Sequence, residues 1–220
     1  MSRKNNRPPT YWGKNAVRQA ERRFIQERNS TDDRENDTRK ATAEVFIMCI
    51  LSALYDDYGM GEARLQRAAD AACERSERYE QTKNGLPRLV DGKKKTGQEL
   101  ADMELDRDVA DYFPADFVFP IWKMPKKRDI ALVYSQRAAA TTAAKLYAYG
   151  MHTALGFGAD RIKKVMEAGT ENYRMFREYA DSGDYYGYTI LARKMSQILH
   201  CPCDVVSAGA DRPIFGDTLD

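Results

Sequence analysis

The distribution of apolar and polar residues predicts a mainly helical chain. Apolar residues recur at intervals of three and four over seven segments, which is the spacing that lines one face of an α-helix. The predicted helices cover about residues 10–28, 37–58, 62–81, 96–112, 129–155, 159–180 and 185–199. The segment from Val45 to Tyr55 is apolar nearly all round, so we expect it to form a central, buried helix.

One short glycine-containing stretch occurs twice, each time between two helical segments. The copies are Gly59, Met60 and Gly61, and then Gly156, Phe157 and Gly158. We expect the first glycine of each copy to end a helix in the left-handed conformation. The second glycine should lie at or beside the next N-cap, and the residue between them should point inward. Each copy therefore predicts the joint, or elbow, of a helical hairpin.

The similarity extends beyond the elbows. An ungapped alignment of residues 58–80 with residues 155–177 gives the identical pairs Gly59/Gly156, Gly61/Gly158, Arg64/Arg161, Ala71/Ala168 and Glu74/Glu171. Chance would give about one or two identities over such a window, so the pattern favours a duplicated unit. The predicted fold class is all-α, a helical bundle built from two related helical hairpins. The alternative is two unrelated hairpins that share a glycine turn.

The predicted helices and the loops between them suggest five regions. These are a flexible basic arm (1–9), an N-terminal helical unit (10–81), a linker loop (82–95), a C-terminal helical unit (96–200) and an acidic tail (201–220). Asparagine, glycine and proline predict the loop. Thr96 followed by Glu99 predicts a capping box. We expect the apolar segment 117–122 to cross the core, or to dock a protein if it is exposed.

The basic residues are candidates for binding an acidic partner. Residues 1–29 contain eight basic and two acidic residues, a balance that favours nucleic acid as the partner. The simpler alternative is that these residues form solvated helix faces, and Arg75 and Arg78 are also expected on an exposed face. The candidate binding residues are Arg18, Arg22, Arg23, Arg64, Arg67, Lys126, Lys127, Arg128, Arg161, Lys163 and Lys164.

A helix-turn-helix interpretation of the elbows is the main structural alternative. An apolar residue, Leu65 or Ile162, follows the glycine by six positions, and the second helix would present basic residues to a DNA groove. However, that motif favours a small residue four positions before the glycine. Tyr55 and His152 stand there, so an ordinary helical hairpin is preferred.

The sequence offers little catalytic chemistry. It contains two histidines, no glycine-rich phosphate loop and no supported Ser/His or Cys/His pair, so we predict no enzyme activity and no cofactor. His200, Cys201 and Cys203 lack the second ligand pair that zinc normally needs, and no metal is predicted. Cys49 and Cys73 are expected to be small core residues in a reducing compartment. The carboxylates between Asp102 and Asp111 are expected on a solvated helix surface rather than on magnesium or in a phosphate mimic.

We expect no signal peptide, and the expected location is the cytoplasm. No apolar run follows the basic start, and the longest one, from Val45, ends at Tyr55. A membrane span would need about 20 residues.

The elbow pattern G-[MF]-G-x-x-R-[LI], with the apolar helix before it, resembles small helical accessory proteins of phages and prophages of Gram-positive bacteria. Some of these proteins inhibit CRISPR nucleases. The resemblance implies an interaction protein in the host bacterial cytoplasm, with a defence protein or ribonucleoprotein as partner, such as a nuclease of the Cas9 type with its guide RNA. The alternatives are a DNA-binding regulator that uses the helices after the elbows, and a structural phage component that assembles through residues 117–122.

Overall fold

The computed structural model describes residues 38–121, 130–181, 186–207 and 213–217, and these ranges are predominantly helical. The helices are α1 (38–58), α2 (Glu62–Lys83), α3 (Gly97–Val109), α4 (Ile130–Leu155), α5 (Ala159–Asp181) and α6 (Tyr186–Leu199). Each begins and ends within a few residues of the bounds of a predicted helix, so the prediction of a mainly helical fold is confirmed. The predicted arm and first helix, residues 1–28, lie outside the described residues.

Two short β-hairpins accompany the helices. Strand β1 (Arg88–Val90) pairs antiparallel with β2 (Lys93–Lys95), and β3 (Cys203–Ser207) pairs antiparallel with β4 (Pro213–Asp217). The loop prediction for residues 82–95 is therefore wrong over the first hairpin. Asp91 and Gly92 between its strands both have positive φ, 52° and 73°, as a type I′ hairpin turn requires. The second hairpin lies where a loosely held tail was expected.

Helix α1 lies at the centre of the core, as its apolar character predicts. Phe46, Cys49, Ile50 and Leu54 are fully buried. The residues of this core form one contiguous cluster, mainly from α1 to α6, with Met60, Tyr112, Phe119 and Phe157 from the segments between them. The segment predicted to cross the core does so in part, because Phe119 is buried and its ring lies 4.8 Å from that of Phe46 in an edge-to-face contact.

Helices α1, α2, α4 and α5 alternate in direction. A cavity of about 710 Å³ is lined by the first half of α1, the second half of α2 and the first half of α4, so α2 runs opposite to both α1 and α4. Gly169 of α5 packs on Ile50 of α1. Three residues further along α5, Asn172 donates a hydrogen bond to the carbonyl oxygen of Cys49 (3.1 Å). Residue numbers therefore rise along α5 as they fall along α1, and these helices are antiparallel.

Small residues allow α2 and α4 to approach closely. A Cβ atom added at Gly150 of α4 would lie 2.2 Å from the carbonyl oxygen of Ala68 and 3.2 Å from the Cβ of Ala72. The main chains are therefore nearly in contact at this crossing, which only glycine and alanine permit.

The two shorter helices pack outside this group in matching positions. Helix α3 packs on α2 and α4, and α6 packs on α5. Helix α6 also contacts α1, because Lys194 forms an ion pair with Asp56 and lies over the ring of Tyr55. Each outer helix therefore contacts the second helix of its own hairpin and the first helix of the other. Two copies of a three-helix unit would give this arrangement, although descent from a duplicated unit stays a prediction.

No helix within the described residues combines the length and the apolar character needed to cross a bilayer.

Candidate functional site

The two elbows have the same backbone geometry. Gly59 and Gly156 adopt positive φ, 58° and 66°, which confirms the predicted left-handed helix ends. In both elbows this glycine donates its N–H to the carbonyl four residues earlier at 3.1 Å. The next N–H reaches the carbonyl six residues earlier at 3.3 Å. These bonds satisfy carbonyl groups that a helix end otherwise leaves without partners.

The second glycine of each elbow starts the next helix. Gly61 is the N-cap of α2, with an extended backbone and no side-chain cap, and its carbonyl accepts hydrogen bonds from the third and fourth following N–H groups at 3.0 and 3.2 Å. The carbonyl of Gly158 accepts the corresponding bonds at 3.1 Å. Met60 and Phe157 are buried, at 6% and 2% exposure. The expectation that they point inward is therefore confirmed.

The two elbows lie side by side. The ring of Tyr58, in the last turn of α1, lies 5.1 Å from the ring of Phe157 in the second elbow. Because α2 and α5 both start from these elbows, their first turns lie at the same end of the helical body. We call the two elbows with the first two turns of α2 and α5 the elbow end.

Five of the candidate binding residues occupy the elbow end. All five side chains are exposed, and within the described part of the chain none forms an ion pair. Arg161 also packs on an aromatic ring, since its guanidinium carbon lies 5.5 Å from the ring centre of Phe157. These residues are Arg64, Arg67, Arg161, Lys163 and Lys164. Glu62 and Asp160 lie in the first turns of the same helices, where the helix dipole favours a negative charge.

The remaining candidates cannot be placed in this surface. They are Arg18, Arg22, Arg23, Lys126, Lys127 and Arg128, and all six lie outside the described residues.

The carboxylates of α3 hold that helix on its neighbours. Asp102 accepts a hydrogen bond from the hydroxyl of Tyr79 (2.6 Å), Glu104 accepts one from Thr82 (2.9 Å), and Asp106 pairs with Lys145. Asp108 accepts a hydrogen bond from the Nε of Arg75 (2.8 Å). Asp102, Glu104 and Asp108 are partly buried, so the prediction of a solvated acidic surface is wrong for these three side chains, whereas Asp106 is exposed as predicted.

Arg75 corrects a second prediction. It was expected on the exposed face of α2, but it is only 3% exposed. Its partner Asp108 lies on α3, so the pair joins two helices. Tyr79 is buried on the same face of α2. Desolvation and the hydrogen bond to Asp102 raise the pKa of the Tyr79 hydroxyl to about 12.

Two groups that could do acid–base or nucleophilic chemistry, His152 and Cys49, are packed against the rest of the protein, whereas Cys73 is exposed and the prediction that it is a core residue is wrong. The ring of His152 stacks on that of Tyr112 at 4.1 Å, and its Nδ1 lies 2.9 Å from the carbonyl oxygen of Phe157. Burial raises the pKa of the Cys49 thiol well above its usual range, which disfavours the reactive thiolate. The sulfur atoms of Cys201 and Cys203 lie 4.0 Å apart. The described residues include no group of three or more His, Cys, Asp or Glu side chains that could hold a metal ion.

A further basic surface was missed by the sequence reasoning. Strands β1 and β2 form a two-stranded ribbon that carries Arg88, Lys93, Lys94 and Lys95. The Asp91-Gly92 pair between short strand-like segments is a known hairpin signal, and it could have identified this ribbon. The segment of three lysines suggested a loop instead, because lysine is depleted in strands.

Comparison of the chain with protein-family models, with curated proteins and with solved structures gives no match.

Proposed function

We propose that the protein is a non-catalytic interaction protein that binds an acidic macromolecular surface with its elbow end. The observation that carries this proposal is the contact between Tyr58 and Phe157, which brings the two elbows together. Five exposed cationic side chains thereby share one end of the body. With Glu62 and Asp160 in the same turns, the elbow end still has an excess of positive charge, and such an excess accelerates association with an oppositely charged partner and helps to select it.

The partner that fits best with the sequence is a bacterial defence nuclease carrying nucleic acid. This choice rests on the resemblance of the elbows to those of phage accessory proteins. A guide RNA or a bound target strand presents phosphates, which arginine and lysine recognise through charge-assisted hydrogen bonds. Binding there would block the nuclease by occupying its nucleic-acid surface.

The test is titration of the protein into a reconstituted RNA-guided nuclease, with cleavage and complex formation as readouts. The native protein is expected to block cleavage at near-stoichiometric amounts. Arg64→Gln/Arg161→Gln should raise the Kd at least about tenfold, because each charge-assisted bond contributes about 1.5 kcal/mol or more. The control Lys40→Gln/Arg107→Gln removes the same charge from exposed positions outside the elbow end and should bind normally. Equal loss in both variants would contradict a role for the elbow end.

A DNA-binding regulator is the second candidate. It is favoured by the exposed Arg64 and Arg161, which lie in the first turn after each elbow, where a recognition helix would contact DNA. Binding to free duplex DNA without inhibition of the nuclease would favour this alternative. The third hypothesis, assembly through residues 117–122, has less support, because Phe119 is buried and Phe117 packs on the core.

A further inference from the structure

The basic ribbon, residues 86–95, has an unusual charge distribution for a β-hairpin. It contains four basic residues and one acidic residue, Asp91. The register places Arg88 opposite Lys95, and like charges directly opposite each other destabilise an antiparallel pair. Lys95 has a partner in Glu99 at 3.6 Å. Within the described residues the other three cations have no ion pair.

The ribbon also exposes two large apolar side chains. Leu86 is 84% exposed and Leu89 is 77% exposed, the highest values among the large apolar residues of the described chain. Side chains alternate between the two faces along a strand. Leu89 and its partner Lys94 therefore lie on one face, whereas the pairs Arg88/Lys95 and Val90/Lys93 lie on the other. The ribbon therefore presents cations on both faces and a leucine on one of them.

The base of the ribbon is held firmly on the helices. A Cβ atom added at Gly97, the first residue of α3, would lie 2.2 Å from the carbonyl oxygen of Lys83 at the end of α2. Thr96 and Glu99 form the capping box, with the Thr96 N–H donating to Glu99 at 2.8 Å and the Glu99 N–H donating to the Thr96 hydroxyl at 3.2 Å. The two ends of the ribbon are therefore fixed side by side, which lowers the entropy lost when it binds a partner.

We propose that the basic ribbon docks in the major groove of B-form duplex DNA. That groove is about 12 Å wide and admits a two-stranded β-ribbon. Each strand of the ribbon carries cations, Arg88 on β1 and Lys93 and Lys94 on β2, so the two strands match the phosphate backbones that border the groove on both sides. Leu89 can contact thymine methyl groups in the floor of the groove. The inference does not depend on the elbow end, because it rests on a different surface.

Two other classes of partner fit the ribbon less well. An anionic membrane would accept the leucines and lysines, but the tip of the ribbon is Asp91-Gly92, and a carboxylate there opposes insertion among anionic head groups. Double-stranded RNA has a deep, narrow major groove that protein side chains do not enter. Duplex DNA is therefore the partner that the geometry and the charge favour.

The test measures fluorescence anisotropy of a labelled DNA duplex over a range of salt concentrations. Lys93→Gln/Lys94→Gln is expected to weaken binding about tenfold or more and to reduce the slope of log K against log salt by about 1.8, since each lost phosphate contact changes it by about 0.9. Leu89→Ser should weaken binding without changing the slope. The control Lys40→Gln/Arg107→Gln removes the same charge elsewhere and should leave both quantities unchanged. Circular dichroism confirms that every variant is folded.

Further arms of the experiment separate the possible outcomes. Unchanged affinity and slope in Lys93→Gln/Lys94→Gln would overturn the inference. So would tighter binding to the matching RNA duplex, or binding to phosphatidylserine vesicles in place of DNA. The elbow variant Arg64→Gln/Arg161→Gln is expected to retain the contribution of the ribbon. If that variant alone loses DNA binding, the ribbon inference fails while the elbow end remains a binding surface.

Discussion

The buried ion pair between Arg75 and Asp108 predicts an unequal response to the loss of its two partners. Arg75 is 3% exposed, whereas the Asp108 side chain is 32% exposed. Asp108→Ala leaves a buried guanidinium without a carboxylate, and should lower the free energy of unfolding by about 3–5 kcal/mol. Arg75→Met leaves a carboxylate that water can reach, and the methionine retains the packing of the arginine stem. Its cost should be about 1.5–3 kcal/mol, the contribution of a hydrogen bond between charged groups.

Urea unfolding followed by circular dichroism measures this difference, with the slope against urea compared between variants. Asp106→Ala is the matched control, since it removes the same charge from the same helix. Its partner Lys145 is 24% exposed and Asp106 itself is 56% exposed, so it should cost less than about 1 kcal/mol. If Arg75→Met is as damaging as Asp108→Ala, burial of the guanidinium does not set the cost. Equal effects of Asp108→Ala and Asp106→Ala would refute the same reasoning.

Three further predictions concern packing and ionisation. Gly150→Ala should destabilise the protein by about 1–3 kcal/mol, because the added Cβ would lie 2.2 Å from the carbonyl oxygen of Ala68. This cost should exceed the gain from the better helix propensity of alanine. A thermal midpoint at or above that of the native protein would contradict this prediction. Tyr112→Phe should leave the urea midpoint unchanged or slightly raised, since the buried hydroxyl has no hydrogen-bond partner within the described residues. Burial raises the pKa of Tyr147 and of Tyr173 to about 12, whereas unfolded tyrosine titrates near about 10. The contribution of these two tyrosines to stability should therefore be constant below about pH 10 and fall between about pH 10 and 12, as urea midpoints across that range would show.

The local features of the fold were predictable from the sequence. Apolar spacing located the helices, because a helix that packs on one side needs a stripe of period 3.6. The elbow glycines were identified correctly, since a helix end with positive φ favours glycine over every other residue. The capping box at Thr96 and Glu99 was also confirmed, because it depends only on residues within one turn.

Tertiary features were not predictable in the same way. Arg75 lies on the same helical stripe as Ala68, Ala72 and Tyr79, which are buried, yet its charge suggested an exposed position. Only the position of Asp108 on another helix makes its burial favourable. The contact between Tyr58 and Phe157 likewise depends on how the two hairpins pack together, which no local pattern encodes.

Helix α2 connects the elbow end to the basic ribbon as one unbroken rod. Its 22 residues correspond to about 33 Å. Because this helix is rigid, it fixes the distance between the two cationic regions, which would vary if a flexible linker joined them. A polyanion long enough to reach both regions would gain its second attachment as an intramolecular event. The resulting avidity would then depend on the length of the ligand, with a threshold near the length of this helix.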